Sequence, residues 1–191
     1  MYKLKVILGS VRPTRFSEKV VPWVLEGIKK HPEFEADVLD LKDFELPFFN
    51  EAETPSSKKE AYKHPAVAAW TAKIADGDAY IFITPEYDRG YPGVLKNAID
   101  WVYPEWNNKP AAFVAYGTVG GARAVEQLRL VAVELQMAPI RQAVHIPAHW
   151  TLLDEKGELR TGALDSHARS AETMLSQLSW WTGALKIARS S

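Results

Sequence analysis

The 191-residue sequence contains no cysteine. Disulfides, zinc–thiolate sites, iron–sulfur clusters and thiol nucleophiles are excluded together. Charge of either sign is not in excess: 23 Lys and Arg face 24 Asp and Glu, for a net charge of −1. A partner such as nucleic acid, which calls for a broad basic face, is not expected. Long apolar runs are missing too. The longest, Ala111 to Tyr116, is six residues, far short of the ~20 that cross a bilayer, so no membrane partner is expected. No apolar signal region with a small-residue cleavage site follows Met1, which leads to the expectation of a cytoplasmic protein. Neither the Gly-rich phosphate loop ending in Lys-Ser or Lys-Thr nor the three-glycine dinucleotide fingerprint occurs.

What is present is a chain with 47% hydrophobic residues, enough for a sizeable core and too many for a disordered segment. Its length suits one domain, residues 1–191. Lys5 to Leu8 is a short apolar run ending at Gly9, the pattern of a buried strand. Val21, Val24, Leu25 and Ile28 then share a helical face, with Pro22 expected to kink the first turn or delay the regular helix. Phe34 to Leu41 alternates as a strand does, and Asp43 to Ser57, rich in Pro, Glu and Ser, reads as a long loop. Pro65 to Ala75 reads as helix. Ala79 to Ile83 is the clearest buried strand. Pro92 opens a helix through Leu95, Ile99 and Val102. Ala111 to Tyr116 is a further strand, and a helix bearing Val125, Leu128, Ala132 and Leu135 follows. Ile140 to Ile146 is the fifth strand. A polar hairpin or loop near Asp154 to Thr161 leads to a last helix carrying Leu164, Ala168, Ala171, Leu175 and Leu178, with a frayed tail, Ala188 to Ser191.

Strands alternating with helices predict an α/β, doubly wound parallel sheet with helices on both faces. Such sheets hold ligands beyond the carboxyl ends of their strands, where the strand order reverses. Three loops stand there. Gly9 to Ser17, rich in hydroxyls and carrying Arg12 and Arg15 at a helix start, suits an anion; it equally suits a helix capped by Ser17 or Thr14. Thr84 to Gly93 is stiffened by Pro85 and Pro92, offers the faces of Tyr87 and Tyr91, and includes Glu86 and Asp88, whose carboxylates are more often solvated than catalytic. Gly117-Thr118-Val119-Gly120-Gly121 exposes backbone N–H groups able to stabilise charge on a ring system, or serves only as a sharp turn.

Thr84-Pro85-Glu86-Tyr87, continued by Gly93-Val94-Leu95-Lys96-Asn97-Ala98-Ile99-Asp100-Trp101, resembles the NADPH-dependent FMN reductase family, which includes quinone, azo-dye and chromate reductases of flavodoxin-like fold. Gly9-Ser10-Val11-Arg12 with Ser17, and Gly120-Gly121-Ala122-Arg123-Ala124, match as well. The resemblance spans roughly residues 3–147. It implies a five-stranded sheet of order 2-1-3-4-5 that binds FMN and uses NADPH or NADH as hydride donor. Ser10, Arg12, Arg15, Phe16 and Ser17 would hold the FMN phosphate. Pro85, Glu86, Tyr87 and Asp88 would line the isoalloxazine and ribityl portions, with Gly117 and the loop to Gly120 at the pyrimidine edge. The family usually has Asn where this chain has Asp88; an amide donates and accepts, whereas a carboxylate only accepts.

Hydride would pass from the nicotinamide through FMN to a quinone, free flavin or similar small acceptor in a ping-pong cycle. The cofactor carries the chemistry, so no side chain is assigned as catalytic and no metal is expected. A flavodoxin-type electron carrier without its own reductase activity is the alternative, disfavoured by the near-neutral charge; a flavin-free scaffold domain is another. His31, His64, His145, His149 and His167 fall on different elements and are expected to be surface or hydrogen-bonded residues. Trp101 reads as core, one of Trp180 and Trp181 at most points inward, and Tyr103 to Trp106 is a candidate subunit interface in the homodimer or homotetramer that the family suggests.

Overall fold

The computed structural model describes residues 1–58 and 60–190. Five strands, β1 (Tyr2–Leu8), β2 (Phe34–Asp40), β3 (Ala79–Pro85), β4 (Pro110–Gly117) and β5 (Ala138–Pro147), form one sheet of order β2-β1-β3-β4-β5. Every neighbouring pair is parallel. Every residue of β3 and β4 is buried, which is why their sequences read as unbroken apolar runs. The edge strands β2 and β5 show polar residues among the buried ones.

Helices α1 (Phe16–Ile28) and α5 (Ala168–Arg189) cover one face of the sheet; α2 (Pro65–Asp76), α3 (Gly93–Asp100) and α4 (Ala122–Glu134) cover the other. On the first face Val20, Val24, Ile28, Met174, Leu175 and Leu178 meet Leu4, Val6, Ile81 and Val114. On the second, Trp70, Ile74, Leu95, Ile99, Val125 and Leu128 meet Ile7, Phe82 and Phe113.

Some elements differ from expectation for identifiable reasons. Helix α1 runs unbroken from Phe16 through Pro22. Pro22 and Glu18 both face solvent, so the carbonyl that loses its N–H donor can be hydrated. Neither Ser17 nor Thr14 caps that helix: the N-cap is Arg15, without a side-chain capping bond. Helix α3 stops at Asp100, short of Val102. The tail is helical to Arg189 because Asp78 collects Lys186 Nζ (2.6 Å), Arg189 Nη2 (3.1 Å) and the Lys3 N–H (3.0 Å), while Arg189 Nη1 donates to Asn108 O (2.7 Å). Ser191 lies outside the described residues.

Trp101 is in the core as expected, and Trp180 is exposed while Trp181 packs against the core. Trp106 is fully buried against Trp70, Tyr80 and Phe82, so it belongs to the interior and not to a subunit interface. Lys109, before β4, is also buried. Its Nζ donates to the carbonyls of Ile74 (3.2 Å) and Ala75 (3.0 Å) and to Tyr80 Oη (3.2 Å), capping the end of α2. Burial pushes its pKa down to about 8.

Candidate functional site

The strand order reverses between β1 and β3, and the loops leaving these strands part there, opening a crevice. It has a volume of about 280 Å³ and is lined by residues 12–16, 85–87 and 116–118 together with His149, Trp150 and Leu153. Arg12, Arg15, Phe16, Pro85, Glu86, Tyr87 and Gly117 are thus brought together as the sequence suggested. Ser10 and Ser17 lie beneath the lining and are buried. Gly120 presses on the sheet behind it, and Asp88 stands on an exposed outer corner.

The first wall is the loop after β1 and the start of α1. The N–H groups of Thr14, Arg15 and Phe16 have no hydrogen-bond partner among the described residues. Unpaired N–H groups and the helix dipole together favour an anion there. Ser17 Oγ is fully buried and unpartnered, a vacancy in hydrogen bonding that a folded protein rarely leaves unfilled. Arg15 differs from what the sequence suggested. All five of its guanidinium N–H donors are used internally: Nε and Nη2 on Glu18 (2.9 and 2.7 Å), Nη1 on Asp40 (2.8 Å) and the Ser10 carbonyl, and Nη2 on Asp40. Its side chain is a strut that ties the loop to the end of β2, leaving only its backbone N–H for a ligand. Arg12 is the exposed cation of this wall. It lies over the Tyr87 ring at 5.5 Å and has no ion pair among the described residues.

The second wall follows β3. Tyr87 N–H donates to Gly90 O (2.9 Å) and Gly90 N–H to Tyr87 O (2.8 Å), while Asp88 and Arg89 between them have φ of 47° and 69°. This is the pattern of a type I′ hairpin turn, which requires two left-handed residues and suits Asn or Asp at the first. Asp88 meets that requirement as Asn would. Two side chains hold the turn in place: Tyr87 Oη lies 2.9 Å from Ser10 Oγ, and Gln127 Nε2 donates to Arg89 O (2.9 Å). The Glu86 side chain is buried and ion-paired to Arg123, whose backbone N–H also donates to Glu86 Oε2 (3.0 Å). Burial pushes the Glu86 carboxyl up, but the hydrogen bonds and charge of Arg123 outweigh it and hold the carboxyl below its ordinary range. Glu86 is therefore an ionised tether for α4.

The third wall follows β4. Gly121 has φ of 69°, and a Cβ there would stand 2.7 Å from Ala115 Cβ and 2.9 Å from Tyr116 N. Only glycine lets this loop lie flat on the sheet. His145 Nδ1 is 3.0 Å from the Gly120 carbonyl and secures the loop from β5. The N–H groups of Thr118 and Val119 have no partner among the described residues and are available to a bound ring.

A fourth wall was missed by sequence reasoning. After β5, His149 and Trp150 enter the crevice from a short 3₁₀ turn. The signal is present in the sequence: all strands of a parallel sheet end on one edge, so the turn after β5 shares that edge with the loops after β1, β3 and β4. Tyr116 was likewise read only as the end of a strand. Burial pushes its phenol up to about 12, against an opposing effect of the neighbouring Ser17.

The donor set fits a phosphorylated flat ligand: unpaired N–H groups and a buried hydroxyl for an anion, and loops with free N–H groups and tyrosine faces for a ring. Among the described residues no group of three His, Asp or Glu is placed to hold a metal ion.

A family model described as NADPH-dependent FMN reductase matches residues 2–151. An NAD(P)H-dependent FMN reductase of Schizosaccharomyces pombe is 39% identical over 147 residues, 76% of this chain and 74% of the relative. A quinone reductase of Pseudomonas putida is 31% identical over 167 residues, 83% of this chain and 85% of the relative. Among solved structures, FerB, a flavoenzyme NAD(P)H:(acceptor) oxidoreductase from Paracoccus denitrificans, superposes with a TM-score of 0.72 at 23% identity. It covers 94% of this chain and 98% of its own, which establishes the likeness of fold.

Proposed function

The chain belongs to the NADPH-dependent FMN reductase family, and from that premise we propose that its crevice binds FMN and serves a ping-pong transfer of electrons from NADPH to a quinone or free flavin. The flavodoxin-like fold and the oxidoreductase activity of the family are its own; the assignment of residues, the donor preference and the acceptor are the proposal. The observation that carries it is the meeting of an unsatisfied anion site, centred on Ser17 Oγ and the α1 N–H groups, with free loop N–H groups at the strand switch point.

When bound, FMN supplies the chemistry, accepting hydride from the nicotinamide and releasing electrons to the acceptor. The chain's residues bind and orient. Ser17, Arg12 and the N–H groups of Thr14, Arg15 and Phe16 take the phosphate. The Ser10–Tyr87 contact and the Glu86–Arg123 pair keep the second wall rigid, with Pro85 and Asp88 at its two ends. Thr118 and Val119 N–H groups, between Gly117 and Gly120, are placed to stabilise negative charge on a bound ring. Arg89 is exposed and free of any ion pair among the described residues. With every Arg15 donor occupied, Arg89 is the cation that supports a preference for NADPH over NADH. A cytoplasmic setting, where NAD(P)H is regenerated, accompanies this reading. Leu130 and Val133, exposed on α4, support a homo-oligomer; light scattering of the wild type and of L130D/V133D tests it, with a smaller species expected for the variant.

The deciding experiment adds FMN, then NADPH, then a quinone to the purified protein while following nicotinamide absorbance. Sustained consumption is expected. A single reduction without turnover would identify an electron carrier, and failure to take up FMN would defeat the proposal.

A further inference from the structure

His149 is held by more structure than a surface histidine needs. Ala148 before it adopts a left-handed conformation, φ 44° and ψ 43°, which is unfavourable for a residue with a Cβ. That corner is fastened by Ala148 N–H to Gly117 O (2.9 Å) and by the Thr151 N–H and Oγ1 to Ala148 O (both 2.8 Å). The imidazole is thereby set against Phe16 (4.7 Å between ring centres) and Tyr116 (5.0 Å). Its Nδ1 is inaccessible and without a partner, as are Ser17 Oγ and Tyr116 Oη. These three polar atoms, on α1, β4 and the turn after β5, lack a well-formed hydrogen bond, with Ser17 and Tyr116 lying next to one another. Because Nδ1 faces inward, Nε2 is the ring nitrogen left for a ligand in the crevice that His149 lines.

The electrostatics of this corner are one-sided. Glu86 is taken by Arg123, and Glu18 and Asp40 by Arg15. Arg12 and the α1 N–H groups have no anion to meet. The titratable and charged groups around the ring are Arg12 from the loop after β1, Arg15 at the start of α1 and the Tyr116 phenol from β4. None supplies a negative charge at neutral pH.

We propose that His149 is a phosphate-recognition residue: its Nε2 donates to an anionic phosphate seated at the α1 N-terminus, and the ring takes up a proton as that phosphate arrives. Burial first, and the Arg12 charge second, hold the empty-site pKa of His149 below its ordinary value. A dianion beside it reverses the balance. Binding then draws one proton from solvent in the pH range between the two values, and affinity rises as pH falls through that range. This rests on the FMN reading above, with the 5′-phosphate of FMN as the group recognised.

The test compares FMN with riboflavin, which lacks the phosphate, by fluorescence quenching and by calorimetry in buffers of different ionisation enthalpy. H149F keeps a ring against Phe16 and Tyr116 but has no nitrogen; H149Q keeps a neutral donor that cannot titrate. For H149F the preference for FMN over riboflavin should fall about tenfold, the loss expected for one charge-assisted hydrogen bond. For H149Q most of the preference should return while proton uptake is abolished. An unchanged preference and uptake in H149F would overturn the proposal. So would an equal loss of riboflavin binding, which would mark a merely structural role, or a loss confined to the KM for NADPH. If the wild type binds neither flavin, it is the FMN reading that fails.

Discussion

Arg15→Met separates a strut from a ligand. The substitution keeps most of the unbranched stem and removes all five donors. Glu18 is half-exposed, so water replaces its lost bonds and that pair contributes little. Asp40 has a side chain only 20% exposed. It retains one bond from the Lys42 N–H (2.9 Å) but loses its counter-ion, and the Ser10 carbonyl loses the one side-chain donor that reaches it. Leaving a largely buried carboxylate and a buried carbonyl unsatisfied costs about 3 kcal/mol, below the ~3–5 kcal/mol range's upper end because Asp40 is not fully enclosed. With a denaturant slope of roughly 2 kcal/mol per molar urea, the unfolding midpoint of the flavin-free protein should fall by about 1.5 M. Flavin-free protein is needed because a bound ligand adds its own stabilisation. FMN affinity should weaken by less than about tenfold, since the backbone N–H groups remain. A midpoint displaced by less than ~0.3 M together with a hundredfold loss of FMN affinity would show that the guanidinium serves the ligand and would refute the reasoning.

Other substitutions examine the remaining supports. E86Q should cost about 2 kcal/mol at neutral pH by breaking a charge-assisted tether. Because the folded carboxyl sits below its ordinary range, its stabilisation is complete above about pH 4.5 and fades as pH falls through the folded value; denaturation curves at a series of acid pH values should show E86Q losing that slope. For Lys109 the sign is opposite. Its folded pKa of about 8 lies below the ordinary 10.5, so the unfolded chain binds more protons between those values and stability should rise with pH there, by at most ~1.4 kcal/mol per unit. K109M should flatten that rise, and an identical rise in the variant would count against the assignment. G121A should cost about 3 kcal/mol, from left-handed strain and from a Cβ driven into Ala115 and the Tyr116 amide, measurable as a lowered urea midpoint.

The features legible in sequence were those that depend on neighbouring residues. Continuous apolar character gave β3 and β4, and glycines marked the loop that lies flat on the sheet. Long-range pairing was not legible. Arg15 and Asp40 are far apart in the chain, as are Glu86 and Arg123, and nothing in either segment says that the charges will neutralise one another inside the fold. The resemblance puts the Arg15 side chain on a phosphate, whereas the fold uses its donors on Glu18 and Asp40; Glu86 does line the crevice, and what the sequence hides is its pairing with Arg123. Trp106 was misjudged for a related reason: a tryptophan in a Pro-rich turn looks like surface until Trp70 and Tyr80 arrive from other elements. Pro22 was overweighted because the cost of a mid-helix proline is smaller on a solvent-facing side of the helix, where both Pro22 and Glu18 stand. His149 needed the geometry of β5, whose end shares an edge with β1, β3 and β4.

The corner formed by Asp88 and Arg89 has an implication for laboratory evolution. Its backbone is fixed by reciprocal amide bonds and by Gln127, not by the side chains it displays, so positions 88 and 89 are adjustable without disturbing the frame beneath. The constraint is conformational: replacements must tolerate left-handed torsions, which favours Asn, Asp and Gly and disfavours β-branched residues. A small library restricted in this way should yield a high fraction of well-folded members, whereas random diversification of the same pair would mostly sample broken turns.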